Sequence, residues 1–289
     1  FILTSFHNLK DVFSPVESDR FQDPTLTSTV YLLTQFRVII TYIRLLFLPV
    51  HQNVDYDFPA SQGFFEPATF ASFLVLAAVF IAALLMFPRR RFEASGIILF
   101  FLTLAVESSI KPLRNVIFEH RLYLPVFGFS MFFTGFLYHV VWKRSQKTAL
   151  AVFIVMIGIF SVLTFERNKV WKNELTLWSD AVKKSPMKAR PHNNLGKAYY
   201  ENGMLEQGNR EFETAMMLDP SSMETYNNIG YNLFAQGKYK EAIGYFEQAL
   251  SINPNSFDVN INLGATYVQL GEYEKARKYY ALTLFDGYK

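Results

Sequence analysis

Three stretches decide the fold of the second half of the chain: NNLGKAYYENG at Asn193–Gly203, NNIGYNLFAQG at Asn227–Gly237 and INLGATYVQLG at Ile261–Gly271. They are one pattern written three times at a spacing of 34 residues, and the spacing holds beyond them, for Pro186, Pro220 and Pro254 as for Gly196, Gly230 and Gly264. A fixed period of this length is the mark of stacked supersecondary units, none of which buries its apolar face alone. Each stretch predicts a first helix. The segment after it predicts a second, with an aromatic residue (Phe212, Phe246, Tyr280) followed by a small one (Ala215, Ala249, Thr283).

The period and motif resemble the tetratricopeptide repeat. Repeats are placed at Ala189–Ser222, Met223–Ser256 and Phe257–Lys289, with small residues letting the paired helices approach and proline ending each second helix. Gly208 stands where alanine is usual, so a looser first repeat is expected. Upstream, Trp171 to Ser185 reads as a lone second helix with Trp178 and Ala181 in the aromatic and small positions; residues 167–188 are therefore expected to join and cap the array. On the first helices Arg190, Asn193, Lys197 and Tyr200 share one face, matched by Glu224, Asn227, Tyr231 and Phe234. Stacked, these eight are the candidates for a groove that binds an extended peptide or another chain's helix.

Further upstream the composition changes. The chain is 51% hydrophobic with 30 phenylalanines, and nearly all long apolar runs precede Phe165. Helices able to cross a bilayer are read at Leu26–Leu48, Ala68–Phe87, Leu122–Trp142 and Thr148–Phe165, with Phe92–Val106 marginal in length. Leu26–Leu48 either spans or lies in the interface. The class is all-α: a polytopic membrane domain over residues 1–166, followed by an α-solenoid. A net charge of +3 without a long basic run gives no reason to expect a nucleic-acid partner, and the absence of cysteine excludes disulfides and thiol chemistry. Counting cations in the short turns, six in Pro88–Arg91 and Lys143–Lys147 together, places those turns in the cytoplasm by the positive-inside rule. The loop Glu107–Arg121 and the repeats then lie outside.

That loop, within ESSIKPLRNVIFEHRLYLP (Glu107–Pro125), gathers Glu107, Lys111, Arg114, Glu119, His120 and Arg121 between two apolar segments. Ionisable groups at a membrane edge mark a functional site unless they merely sit in the headgroups. In the first helix Thr34, Arg37, Thr41 and Arg44 recur on one face, which suits Arg37 and Arg44 to a phosphate. The loop after Pro49 carries His51, Asp55, Asp57 and Glu66; its acids are read as solvated or structural, and no metal site is assigned.

Three stretches together carry a family resemblance: YLLTQFRVIITYIRLLFLPVHQNVDYDFP (Tyr31–Pro59), the Glu107–Pro125 segment, and KVWKNELTLWSDAVKKSPMKARPHNNLG (Lys169–Gly196). The chain resembles the transmembrane-and-tetratricopeptide O-mannosyltransferases and their bacterial relatives. The resemblance implies a GT-C-class membrane fold, a polyprenyl-phosphate sugar as donor, a protein hydroxyl as acceptor and no cofactor. It also implies a catalytic acid in an earlier outer loop, upstream of Phe1, which makes this chain the later part of such an enzyme. Candidate contacts to the lipid phosphate and sugar are Arg37, Arg44, Glu107, Lys111, Glu119, His120 and Arg121. The expected location is a bacterial inner membrane with periplasmic repeats, or the lumenal side of a eukaryotic membrane. The competing reading is a membrane-anchored scaffold without chemistry. The two diverge on whether Arg37, Arg44 and the Glu119–Arg121 cluster converge on one cavity.

Overall fold

The computed structural model describes residues 27–107 and 116–284, apart from the side chains of Val106, Glu107 and Leu284. All the regular structure among the described residues is helical. The chain divides into two compact units, residues 1–163 and 164–289.

The first unit begins with α1 (Ser28–Phe47), whose N-terminus is capped by the Thr27 side chain accepting from Val30 N–H. Pro67 opens α2 (Pro67–Met86), the position where a missing N–H costs nothing. Then follow α3 (Arg91–Glu107), a single 3₁₀ turn (Glu119–Leu122), α4 (Pro125–Leu137) with a π turn at Tyr138–Trp142, and α5 (Gln146–Val170). Two boundaries differ from the expected ones by more than two residues. Leu122 ends the 3₁₀ turn and α4 waits for Pro125, whereas α5 continues through Val170, past residue 166.

Among the described residues, four helices are long and apolar enough to cross a membrane: Ser28–Phe47, Pro67–Met86, Pro125–Trp142 and Gln146–Val170. The 17 described residues of α3 are not among them. This helix is instead the partner in the closest packing of the unit. A Cβ on Gly96 would lie 2.6 Å from the Gly128 carbonyl oxygen, and one on Gly128 would lie 2.6 Å from that of Gly96. Backbone meets backbone here, so α3 and α4 approach as small-residue interfaces allow in a bilayer. At the end of this hairpin bearing the basic turns, Glu93, 2% exposed, meets His139 Nδ1 at 2.7 Å. By contrast α5 buries nothing, and α2 buries only Thr69, Leu76 and Ala83. Apolar helices left uncovered on most sides fit a membrane location.

The second unit contains α6 (Glu174–Lys184) and three antiparallel pairs, α7 (Ala189–Glu201) with α8 (Leu205–Leu218), α9 (Met223–Ala235) with α10 (Tyr239–Ile252), and α11 (Phe257–Gln269) with α12 (Tyr273–Leu284). Asn173 and Thr176 close a capping box at the start of α6, and Ser222 and Ser256 cap α9 and α11. Within each pair the turn passes through Gly203, Gly237 or Gly271 at φ of 75, 76 and 75°, a left-handed backbone that disfavours any side chain. The rings of Phe212, Phe246 and Tyr280 rest on Gly196, Gly230 and Gly264 of their own first helices, which explains why that glycine recurs with the aromatic. The expected looseness at Gly208 is not found. The Tyr200 ring occupies the space a Cβ would need, so an aromatic edge replaces the methyl group.

Candidate functional site

In the first unit the polar groups meet at Glu119, carried on the 3₁₀ turn. Its Oε1 accepts from the Asn53 N–H at 2.8 Å and the Tyr56 hydroxyl at 2.6 Å, and its Oε2 accepts from Gln52 Nε2 at 3.1 Å. One carboxylate thus ties the loop after α1 to the loop before α4. Burial, and then the hydrogen bond and negative charge of Glu119, push the Tyr56 phenol well above its ordinary value, so it stays a donor; the charge of Arg44 pulls weakly the other way. The loop before α4 also docks on α1. Gln35 Nε2 donates to the Val116 carbonyl at 3.0 Å, and the Tyr42 hydroxyl donates to the Phe118 carbonyl at 2.9 Å while facing the Phe118 N–H at 3.0 Å. Beside Glu119 lies a recess of about 240 Å³ whose walls are Leu45, Leu46, Leu122, Tyr123 and Val126, with Gln52 and Glu119 at its polar edge.

Two of the three arginines expected around an anionic headgroup are engaged within the chain. Arg37 pairs with Glu66 at 3.3 Å, donates to the Pro59 carbonyl at 3.3 Å and lies over the Phe58 ring, with 18% of its side chain exposed. Glu66 is itself fixed by the Gln62 N–H and the Thr69 hydroxyl. Two turns of helix between Arg37 and Arg44 suffice to put them against different parts of the loop. Arg121 is 5% exposed; its Nη1 donates to the Tyr31 hydroxyl and the Val116 carbonyl, and its guanidinium covers Phe118. Both residues hold loops in place. Arg44 is exposed, with no ion pair among the described residues, and lies near enough to Tyr56 to influence its titration. His120, also exposed, stacks on Phe118. The side chain of Glu107 and the whole of Lys111 lie outside the described residues.

On the repeats, the eight groove candidates separate. Arg190, Lys197, Glu224 and Tyr231 are exposed. Asn193 is 3% exposed and accepts from Asn228 Nδ2 at 3.1 Å; Asn227 likewise accepts from Asn262 Nδ2 at 3.0 Å. These asparagines link successive first helices. Tyr200 and Phe234 turn inward, the first against Gly208 and Phe212, the second against Tyr239 and the core around Phe246. Tyr200 loses water in doing so, which raises its phenol above the ordinary value. At about 100° per residue the spacing of three, four and three leaves Asn193 and Tyr200, like Asn227 and Phe234, about 60–80° around the helix from the first residue of the set, whereas Lys197 and Tyr231 lie only about 20° from it.

The structure defines a class, an all-α protein that joins helices of membrane-crossing length to tetratricopeptide-like pairs. A tetratricopeptide repeat family model matches residues 233–287. Over 218 residues the chain is 26% identical to Protein O-mannosyl-transferase F38B6.6 of Caenorhabditis elegans, covering 72% of this chain and 31% of the relative. It is 30% identical over 109 residues to Protein O-mannosyl-transferase Tmtc1 of Drosophila melanogaster, covering 33% of this chain and 12% of that one. The chain therefore spans at most about a third of the length of these curated relatives. Among solved structures, the crystal structure of MamA is similar at 25% identity and a TM-score of 0.34, covering 38% of this chain and 64% of that one. Pseudomonas aeruginosa pilF is similar at 23% and 0.35, covering 46% and 59%.

Proposed function

We propose that this chain is part of a membrane protein O-glycosyltransferase. It takes a sugar, mannose if the relatives' names are followed, from a polyprenyl phosphate and delivers it to a Ser or Thr hydroxyl of a protein held by the repeats on the outer side of the membrane. The observation that carries the reading is the Glu119 junction. Two loops from stretches bearing the family resemblance are tied together beside an exposed arginine and an apolar recess. In the transfer, the bond between the sugar C1 and the phosphate oxygen breaks as the acceptor oxygen attacks; the hydroxyl proton passes to the catalytic carboxylate that the resemblance implies, and negative charge grows on the departing phosphate. Arg44 offsets that charge and His120 donates to it, while the prenyl chain follows Leu45, Leu122 and Val126. Glu119, Arg37 and Arg121 act through the loops they fix.

The test is transfer of mannose from a polyprenyl-phosphate donor by membranes containing the whole protein. Arg44→Gln is expected to slow it about a hundredfold, the usual scale for removing one charge-stabilising donor, with partial recovery in Arg44→Lys. Unchanged turnover in Arg44→Gln would remove this residue from the chemistry. A second reading, a membrane-anchored scaffold without catalysis, is favoured by one finding: Arg37 and Arg121 are occupied internally. On that reading no variant here changes transfer, and Glu119 matters only for folding.

A further inference from the structure

We propose that the repeat unit rests on an anionic bilayer surface through the edge at which α5 enters it. The 34-residue period runs back past the first repeat: Val170 and Trp171 stand where the later units have Met204 and Leu205, Lys238 and Tyr239, and Glu272 and Tyr273. Each later pair is the last residue of a within-repeat turn and the first residue of α8, α10 or α12. Short loops join α6 to α7 and each second helix to the next first one, so the second helices all begin at one edge. Val170 is also the last residue of α5, a helix of membrane-crossing length. The edge of the array therefore starts where that helix ends.

What this edge displays fits the headgroup zone. An apolar or aromatic residue holds the second place of all four pairs, and Trp171, Met204, Leu205 and Tyr273 are exposed. Cations overlie rings at the entry, the Arg167 guanidinium 5.6 Å from the Trp171 ring centre and Lys169 Nζ 4.9 Å from that of Phe165. Aromatic rings beside Lys and Arg are the side chains that settle at a membrane–water interface. The first place of the pairs runs Val170, Met204, Lys238, Glu272, from apolar through basic to acidic. Total charge follows the same course: residues 166–190 hold seven Lys and Arg against three Asp and Glu, whereas residues 191–289 hold eight against twelve. An anionic surface attracts the start of this unit and repels its end.

The joint is braced. Asp180 of α6 accepts from Arg167 Nη1 at 3.1 Å and from Lys184 Nζ at 2.7 Å, and the Thr176 hydroxyl donates to the Val170 carbonyl at 2.9 Å. With α6 tied to the end of α5, the same edge is offered to the surface each time. Docking of this kind requires that α5 crosses a bilayer and is independent of any catalysis.

The chain has no cysteine, so single ones can carry a fluorophore: Asn202→Cys on this edge and Ser221→Cys on the opposite edge, in the loop between α8 and α9. The whole chain is placed in nanodiscs of phosphatidylcholine, alone or with about one third phosphatidylglycerol, and a spin-labelled lipid serves as quencher. Quenching at Asn202→Cys is expected to be at least about threefold stronger with phosphatidylglycerol and to be lost at about 0.5 M salt, while the Ser221→Cys label responds to neither. Lys172→Gln should lower the ratio of docked to undocked protein about fivefold, the worth of one cation at an anionic surface. Quenching at Asn202→Cys that is equal in the two lipids, or indifferent to salt, or matched by the Ser221→Cys label, would overturn the proposal. The lipid comparison is read with every charge of the chain intact, so it does not depend on how Lys172→Gln folds.

Discussion

The two units of this protein solve the same packing problem by opposite means. In the repeats the main stabilising contacts recur at the sequence period: aromatic on glycine and left-handed turn in all three units, a serine cap on α9 and α11, and an asparagine pair between successive first helices. In the membrane unit the ties among the described residues follow no period. Gln35 reaches Val116, Tyr42 reaches Phe118 and Arg121 reaches Tyr31, across 81, 76 and 90 residues. The contrast is one of sequence separation, and it sets how far damage spreads. Stability in a stacked array is a sum of neighbouring terms, whereas loops tied to a distant helix come undone together.

The contrast can be broken most severely at Gly128. Gly128→Leu drives a side chain into the backbone of Gly96 and Phe100, and the α3–α4 hairpin is expected not to form, with loss of monodisperse protein on solubilisation. A smaller, confined effect is expected for Phe246→Ala. It empties a fully buried site at a cost of about 3–5 kcal/mol, and hydrogen exchange should rise in α9 to α12 while the membrane unit is untouched. The smallest effect belongs to Tyr56. Its folded phenol titrates above the ordinary value of 10.0, so the stability it contributes is complete below that pH and declines as the pH rises past it. Tyr56→Phe should remove that decline in thermal unfolding followed from pH 9 to 11, at a cost of about 1 kcal/mol at neutral pH for the lost hydrogen bond. Were Phe246→Ala to disturb the Glu119 junction, or Gly128→Leu to leave it intact, the distinction between the two units would fail.

The same difference explains what the sequence disclosed. Repeat helices start at Ala189, Met223 and Phe257, where the period alone puts them, because each unit carries its own turn and packing residues. The membrane helices were visible as apolar runs, displaced by more than two residues where Pro125 sets a start and where α5 runs on. The candidate site was far less legible. Charge drew attention to Arg37 and Arg121, yet both satisfy loop backbone, and Gln35, Tyr42, Gln52, Asn53 and Tyr56 carried no mark at all. A polar side chain that meets a carbonyl some 80 residues away has no local pattern. Arg44 differs from Arg37 by one helical heptad, and nothing in that spacing says which of them a loop will claim.

The exchange at Tyr200 and Gly208 bears on how interchangeable the repeats are. The later units use a residue with a methyl side chain, Ala242 and Ala276, where the first uses a ring borrowed from its own α7. Anyone grafting a later unit into the first place, or lengthening the array by copying the first, must therefore move these two positions as a pair. Transplanting either alone leaves a hole or a collision, so the first repeat is a bespoke end piece and not a spare copy of the others.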